Sequence, residues 1–230
     1  MRLWSQTPIL GAIDWRTTAM LRLYTRYQNS AGERVRIVLN LKALAYEYVA
    51  IPSLSDAAYM RLNPQRLMPA LEVDGHVVTQ SLAIIELLEE LHPDPPVLPT
   101  DPFARGRARA FAAVIAADLH PVTVNRVRRY LAEELGADDA ALAAWYRHWA
   151  RSAFDTLEAL LARRERSTRF AYSDAPGLAE ACLVPAMRNA RRFDCDLSGH
   201  PILCAIDEAC RALEPFRRAA PESQPDYKPR

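Results

Sequence analysis

Residues 67–81 read LMPALEVDGHVVTQS, and this stretch decides which fold the first half of the chain adopts. Two short apolar segments, residues 70–73 and 76–79, meet at Asp74-Gly75. A two-residue type I′ turn needs positive φ at both central positions, and Asp-Gly is a pair that meets this need. We therefore predict a β-hairpin whose two strands are joined by Asp74-Gly75.

The hairpin belongs to a longer series of predicted strands and helices. Upstream of it the sequence predicts a strand, a helix, a second strand and a short helix, and downstream of it another helix. Their predicted bounds are 21–25, 33–44, 46–51, 56–62 and 81–91. The order β-α-β-α-β-β-α is typical of a thioredoxin-like domain, an interpretation that rests on fold analogy.

A proline cluster separates this domain from the rest of the chain. Residues 92–99 read HPDPPVLP, and proline interrupts helices and central strands because it lacks an amide donor and fixes φ. Every later segment has a helical pattern, with predicted helices at 102–135, 138–166, 178–192 and 200–218. The predicted fold class is an α/β thioredoxin-like N-terminal domain (21–92), a linker (93–101) and an all-α helical C-terminal domain (102–230).

Composition excludes several classes of function. Lys plus Arg number 29 against 28 Asp plus Glu, and this formal charge of +1 gives no general attraction to nucleic acid or to a membrane. No apolar run approaches the roughly 20 residues that span a bilayer. The four cysteines form no Cys-x-x-Cys pair, and no histidines stand at metal-ligand spacing. We predict reduced thiols, no metal site and a cytoplasmic location.

Residues 1–20 are interpreted as an N-terminal extension. They mix apolar and polar residues without the apolar core and cleavage site of a signal peptide. Three alternatives stay open: the extension packs on the body of the protein, it is disordered, or the start codon was placed upstream and Met20 is the true beginning.

Two motifs at predicted helix starts could carry chemistry. In Asn29-Ser30-Ala31, free amides and the positive end of the helix dipole favour an anion, and a serine hydroxyl can donate to a thiolate. In Gln80-Ser81, the serine can cap the helix and present amides to a carboxylate. The alternative in both places is an ordinary helix N-cap.

A third motif is Met68-Pro69, directly before a predicted strand. A cis bond there would turn the Met68 amide and carbonyl outward, where they could pair with an extended peptide ligand. The alternative is a trans proline on an edge strand. We predict the cis form, because the three motifs occur together in the order that one family shows.

The family is the zeta class of glutathione S-transferases, which includes maleylacetoacetate and maleylpyruvate isomerases. Residues 34–42, RVRIVLNLK, together with Tyr46-Glu47, resemble its signature. The likeness continues in LNP (62–64), PAL (69–71), QS (80–81), DLHP (118–121), CLVP (182–185), NA (189–190), RF (192–193) and APESQPD (220–226). It covers residues 21–229.

The resemblance implies a glutathione site on the thioredoxin-like domain, with glutathione as cosubstrate. The cysteine backbone of glutathione pairs with Met68, the residue before the cis proline Pro69, and its γ-glutamyl carboxylate lies at Gln80 and Ser81. Asn29, Ser30 and Ala31 stand where the family has Ser-Ser-Cys or Ser-Ser-Ala. Stabilisation of the thiolate, the catalytic role, would therefore rest on Ser30, helped by the Asn29 amide group.

The resemblance also implies three basic residues on the substrate side. In the isomerase reaction, glutathione adds to a cis double bond conjugated to a carbonyl, the new single bond rotates, and elimination gives the trans alkene. Cations hold the carboxylates and the enolate charge of the substrate. His120, Arg126 and Arg192 match the family positions; the alternative is that they form a solvated face. Two departures, Gln28 and Leu67, count against full isomerase activity.

The expected function is a glutathione-dependent transferase or isomerase that acts on a small electrophile as a homodimer. Two other functions stay open. One is a tyrosine-type transferase, in which Tyr24 or Tyr27 donates to the thiolate. The other is a non-catalytic protein that has the transferase fold and binds a ligand or a partner.

Overall fold

The computed structural model describes residues 20–229, so the predicted N-terminal extension lies outside the described residues except for Met20. The elements of the first half are β1 Leu21–Thr25, α1 Ser30–Leu41, β2 Glu47–Ala50, α2 Ala57–Leu62, β3 Ala70–Val73, β4 His76–Thr79 and α3 Ser81–Leu91. This is the predicted order, and only the bounds of the individual elements differ.

The four strands form one mixed sheet in the order β2-β1-β3-β4. β1 runs parallel to β2 and antiparallel to β3, and β3 pairs with β4 in the predicted hairpin. Asp74 and Gly75 have φ of 47° and 84°, the positive values that the turn requires. The fold class is confirmed: a thioredoxin-like unit precedes a helical region.

The second half begins with α4 Pro102–Ala113, a π-helical segment Val114–Leu119, α5 His120–Thr123 and α6 Asn125–Glu133. It continues with α7 Asp139–Ala162, α8 Leu178–Arg192, α9 Pro201–Arg211, α10 Glu214–Ala219 and a 3₁₀ turn at Pro221–Ser223. The domain boundaries that we predicted, 21–92, 93–101 and 102–230, remain our proposal. No helix within residues 20–229 is long and apolar enough to cross a membrane.

The single helix predicted over 102–135 is wrong, because the chain changes helix type twice there. The His120 N–H bonds to the Ile115 carbonyl, five residues back, as in a π-helix. Pro121 follows with no amide donor, and Val124 is extended with ψ of 157°. His120 and Arg126 consequently lie on different helical segments.

Helix α1 begins three residues earlier than predicted. Asn29 is its N-cap, and the Asn29 Oδ1 accepts a hydrogen bond from the Gly32 amide. Gly32 lies so close to β1 that an added Cβ would come within 1.9 Å of Thr25 Oγ1. The glycine therefore allows close contact between helix and strand, which the helical pattern alone did not reveal.

One continuous apolar core joins the sheet and the helices, with α1 packed against both α8 and α10. The linker is fixed to this core by a buried ion pair, Lys42 Nζ to Glu89 Oε2 at 2.7 Å. Lys42 also donates to the carbonyls of His92 and Pro95, and Glu89 accepts from the Val97 amide at 3.0 Å. The proline cluster is thus a fixed connection between the two halves.

Candidate active site

The sheet register places three of the predicted motifs at one end of the sheet. Tyr24 pairs with Ala70, and Ala70 pairs with Thr79. The chain leaves β1 toward Ser30, enters β3 from Pro69 and leaves β4 toward Gln80 at this same end. The candidate site is therefore built at the junctions of strands with loops and helices, and not on a face of the sheet.

The thiolate motif forms the first turn of α1. The Asn29 side chain caps the Gly32 amide, and the amides of Ser30 and Ala31 have no partner among residues 20–229. Ser30 Oγ accepts a hydrogen bond of 2.8 Å from Asn189 Nδ2 on α8. Two amides and one hydroxyl proton thus remain available to an anion at the positive end of the helix dipole.

A cavity of about 460 Å³ lies in front of Ser30. Its lining comes from the loop before α1, from α8 and from the C-terminal segment 221–229, and includes Ser30, Asn29 and Arg192. The structure therefore brings one of the predicted substrate-side cations next to the predicted thiolate motif.

Arg188, a second arginine that lines this cavity, forms two ion pairs. Arg188 binds Glu33 at 3.1 Å and Glu222 at 3.5 Å. Burial raises the pKa of the Glu33 carboxyl group, while the guanidinium groups of Arg188 and Arg36 oppose that rise. Because two carboxylates already hold Arg188, we do not assign it to the substrate.

The C-terminal segment holds the loop that leads to Ser30. Asp226 accepts a hydrogen bond of 3.1 Å from the Tyr27 amide and one of 2.6 Å from the Tyr48 hydroxyl. The ring of Tyr227 meets the ring of Tyr27 edge-on, with centroids 5.6 Å apart. Burial and the hydrogen bond to Asp226 raise the pKa of Tyr48, so that the hydroxyl stays protonated as a donor.

The buried side chain of Arg36 also holds this loop. Arg36 is fully buried, and its guanidinium group donates to the carbonyls of Arg26 (3.1 Å), Tyr27 (3.2 Å) and Ala219 (2.9 Å). This one side chain connects α1 to the loop after β1 and to α10. The local pattern does not indicate this role, since RVR is typical of an ordinary helical turn.

The peptide-binding motif lies across the sheet end. The Met68–Pro69 bond is cis, as predicted. The Met68 amide and carbonyl form no hydrogen bond with another residue in the described range 20–229. Gln80, beside it, has φ of 72° and ψ of 119°, a conformation that non-glycine residues rarely adopt. Such strain is often found at ligand sites.

Ser81 does not cap α3, which corrects the prediction of a serine N-cap. The N-cap is Gln80, whose side chain makes no capping bond, and Ser81 is the first helical residue. Ser81 is buried, and its Oγ accepts from Arg34 Nη1 at 3.3 Å. Its backbone amide has no partner within residues 20–229, so the helix start can still hold a carboxylate.

Comparison with known proteins agrees with this geometry. The family model of the glutathione S-transferase N-terminal domain matches residues 23–96. Maleylpyruvate isomerase from Ralstonia sp. is 45% identical over 211 residues, covering 90% of this chain and 99% of that protein. The chain belongs to the zeta class of glutathione S-transferases. The predicted family and the predicted enzyme class are confirmed.

Two solved structures share the fold of this chain over nearly its whole length. A holo structure of maleylpyruvate isomerase, a bacterial zeta-class enzyme, has a TM-score of 0.88 at 44% identity and covers 90% of this chain and 100% of that one. Maleylacetoacetate isomerase from Anaeromyxobacter dehalogenans, with dicarboxyethyl glutathione and citrate in its active site, has a TM-score of 0.82 at 39% identity, with coverage of 94% and 97%.

We expected His120 to be one of the substrate-side cations, but its surroundings favour the neutral imidazole. Burial, and then the guanidinium groups of Arg34 and Arg126, lower the pKa of His120 to about 3. The imidazole is therefore neutral near pH 7 and can offer a hydrogen bond but no positive charge. Neither His120 nor the exposed Arg126 is among the residues that line the cavity at Ser30.

The two tyrosines of the tyrosine-type alternative have different surroundings. The Tyr24 hydroxyl donates to Glu72 Oε2 at 2.6 Å, and burial and this bond raise the pKa of Tyr24 to about 12. Tyr24 is thus committed to a carboxylate and is a poor donor to a thiolate. Tyr27 lines the cavity at Ser30 and stays a possible donor.

Sequence reasoning missed four residues that shape the site: Asn189, Asp226, Arg34 and Arg36. Each acts on a partner far away in the chain, for example Asn189 on Ser30 and Asp226 on Tyr27, separated by 159 and 199 residues. All four residues lie in segments that resemble the family, which was the one available signal.

Proposed function

We propose that this protein is a glutathione-dependent isomerase, which adds the glutathione thiolate to maleylpyruvate, maleylacetoacetate or a similar cis-enone with a carboxylate. One observation carries the proposal: a helix start with a serine hydroxyl and two unpaired amides opens onto a cavity that Arg192 also lines. An anionic sulfur and an anionic substrate thereby find donors and a cation within one site.

Glutathione would bind along the sheet end. The unpaired Met68 amide and carbonyl can bond to the cysteine backbone of the tripeptide, as an added strand would. The free amide of Ser81 at the start of α3 suits the γ-glutamyl carboxylate, and Gln80 lies beside it. The sulfur would then lie toward Ser30 and Asn29, since all these residues are at one end of the sheet.

The residues of this chain would each perform one part of the reaction. Ser30 and the amides of Ser30 and Ala31 stabilise the thiolate, so that sulfur attacks the cis double bond and the charge moves to an enolate. Arg192 holds a carboxylate of the substrate, and neutral His120 and exposed Arg126, which do not line this cavity, would contact only a substrate that extends beyond it. Rotation about the new single bond and loss of the thiolate give the trans product, with no net proton transfer.

A second candidate function keeps the same cosubstrate but another thiolate donor. Tyr27 lines the cavity, which supports a tyrosine-type transferase with Tyr27 in place of Ser30. The non-catalytic alternative is not kept, because the relatives of this chain are isomerases, although Asn29 uses its side-chain oxygen as a helix cap and replaces a serine of the family.

We propose a cytoplasmic homodimer. Four free cysteines within the described residues fit a reducing compartment. The family resemblance implies an interface formed by α3 and α4, and Phe103, at the start of α4, is 77% exposed. A sedimentation mass equal to that of one chain at micromolar concentration would contradict the dimer.

The test is turnover. The enzyme is incubated with glutathione and either maleylpyruvate or maleylacetoacetate, and loss of the cis-enol absorbance is followed. We expect turnover that needs glutathione and that Ser30→Ala strongly reduces. Retention on immobilised glutathione without turnover of these substrates or of a chlorinated nitroaromatic would contradict the proposed reaction, and a loss with Tyr27→Phe alone would support the tyrosine-type enzyme.

A further inference from the structure

Asn189 contacts the proposed catalytic serine from the opposite half of the protein. It lies on α8, which packs against α1, and its Nδ2 donates to Ser30 Oγ at 2.8 Å. Both residues line the same cavity. Helix α8 is held firmly, because its inward face, including Leu183 and Met187, is fully buried.

The direction of this hydrogen bond determines what the serine can do. A serine hydroxyl has one proton to donate and lone pairs to accept, whereas an amide NH₂ group can only donate. While Nδ2 donates to Oγ, the Ser30 proton cannot point at Asn189 and must go to another acceptor.

The Ser30 hydroxyl donates to neither of the carbonyls that would be its usual local acceptors. A serine in a helix commonly donates to the carbonyl three or four residues earlier. For Ser30 these are the carbonyls of Tyr27 and Arg26, and both accept from the buried Arg36 at 3.2 and 3.1 Å. Because no described carbonyl accepts the Ser30 proton and Ser30 lines the cavity, this proton is available to an acceptor that binds there.

We propose that Asn189 is a positioning residue, which by donating to Ser30 Oγ directs the serine proton into the cavity and onto the sulfur of glutathione. This inference rests on the proposed function, since it needs a thiolate at Ser30. Under this proposal, helix α8 carries both Asn189, which orients Ser30, and Arg192, which binds the substrate.

The test measures the pKa of the bound glutathione thiol from the thiolate absorbance near ~240 nm, titrated with pH. Asn189→Asp replaces the donor by an acceptor that takes the Ser30 proton. We expect the thiol pKa to rise by about one unit or more, as in Ser30→Ala. Asn189→Leu leaves the hydroxyl free to rotate, and a smaller rise of about half a unit is expected.

The double variant Ser30→Ala/Asn189→Asp separates hydroxyl direction from charge. Without the hydroxyl, Asn189→Asp should add only the effect of its negative charge, which is smaller than its effect in the wild-type background. An equal rise in both backgrounds would overturn the proposal, as would an unmoved pKa in Asn189→Leu. If Ser30→Ala itself leaves the pKa unmoved while glutathione still binds, the thiolate role of Ser30 fails first.

Discussion

The glutathione side of the candidate site comes from one continuous stretch, residues 68–81, whereas the thiol side comes from three stretches far apart in the chain. On the first side, the β-hairpin alone brings Met68 and Gln80 together. On the second, Ser30 depends on Asn189 and on the Asp226 segment. Because one side of the site depends on local contacts and the other on long-range contacts, mutations on the two sides should have different effects.

The largest effect should come from Gly32→Ala on the thiol side. The new Cβ would lie 1.9 Å from Thr25 Oγ1 and 2.7 Å from Asn29 Oδ1, so the helix start must move away from β1. We expect the free energy of unfolding to fall by about 2–3 kcal/mol, measured by urea denaturation.

Gly106→Ala is the matched control for that substitution. Gly106 lies in α4 with nothing within 4 Å of its added Cβ, so alanine should stabilise the helix by up to about 1 kcal/mol. A Gly32→Ala variant as stable as the wild type would show that the first turn of α1 is not fixed as we describe.

Asp226→Ala should also destabilise the thiol side. It leaves the Tyr27 amide and the Tyr48 hydroxyl without their acceptor, at a cost of about 2 kcal/mol in unfolding free energy. We expect kcat to fall and glutathione affinity to stay close to that of the wild type, because the hairpin does not depend on Asp226. Tyr48→Phe removes one of the two bonds and should give a smaller change. A loss of affinity equal to the loss of kcat would mean that the two sides are not independent.

The two sides also differ in how much of their structure could be predicted from the sequence. Asp74-Gly75 predicts the turn, and the turn brings Met68 close to Gln80, because the contacts involved are local in the chain. Nothing local indicates that Arg36 bonds to three carbonyls, one of them in α10, or that Asn189 meets Ser30. The low pKa of His120 escaped prediction for the same reason, since burial depends on the packing of distant elements.

Arg192→Ala should affect the substrate more than glutathione. Because Arg192 lines the cavity at Ser30, we expect KM for a dicarboxylate to rise about tenfold, with little change for an uncharged electrophile. Arg126→Ala should also raise KM for the dicarboxylate selectively, but by less, since Arg126 is exposed outside this cavity. Arg129→Ala, on the same helix as Arg126 and paired with Glu133, is the control. Equal effects on both substrate types would make Arg192 a packing residue.

His120 should make the protein less stable as the pH falls. The folded pKa, about 3, lies below the usual value of 6.5, so the unfolded chain binds a proton first. The stability that neutral His120 provides is complete above pH 6.5 and is lost progressively toward pH 3. Between pH 7.5 and about pH 5.5, the wild type should lose about 1 kcal/mol more of its unfolding free energy than His120→Gln loses. Parallel stability curves for the two proteins would contradict a buried neutral imidazole.

The smallest effect, and the finest test of the glutathione side, concerns Gln80. Its φ of 72° strains any residue with a Cβ, so Gln80→Gly should raise the unfolding free energy by roughly 0.5–1 kcal/mol. The same change removes the side chain beside the proposed γ-glutamyl site and should weaken glutathione binding, measured by calorimetry. Ala43→Gly is the matched control, because Ala43 has φ of 53° but is exposed just after α1, away from the sheet end. It should stabilise the protein without changing glutathione affinity. If Gln80→Gly gains stability and binds glutathione as well as the wild type, the Gln80 side chain takes no part in binding, and the carboxylate must be held by the Ser81 amide without its help.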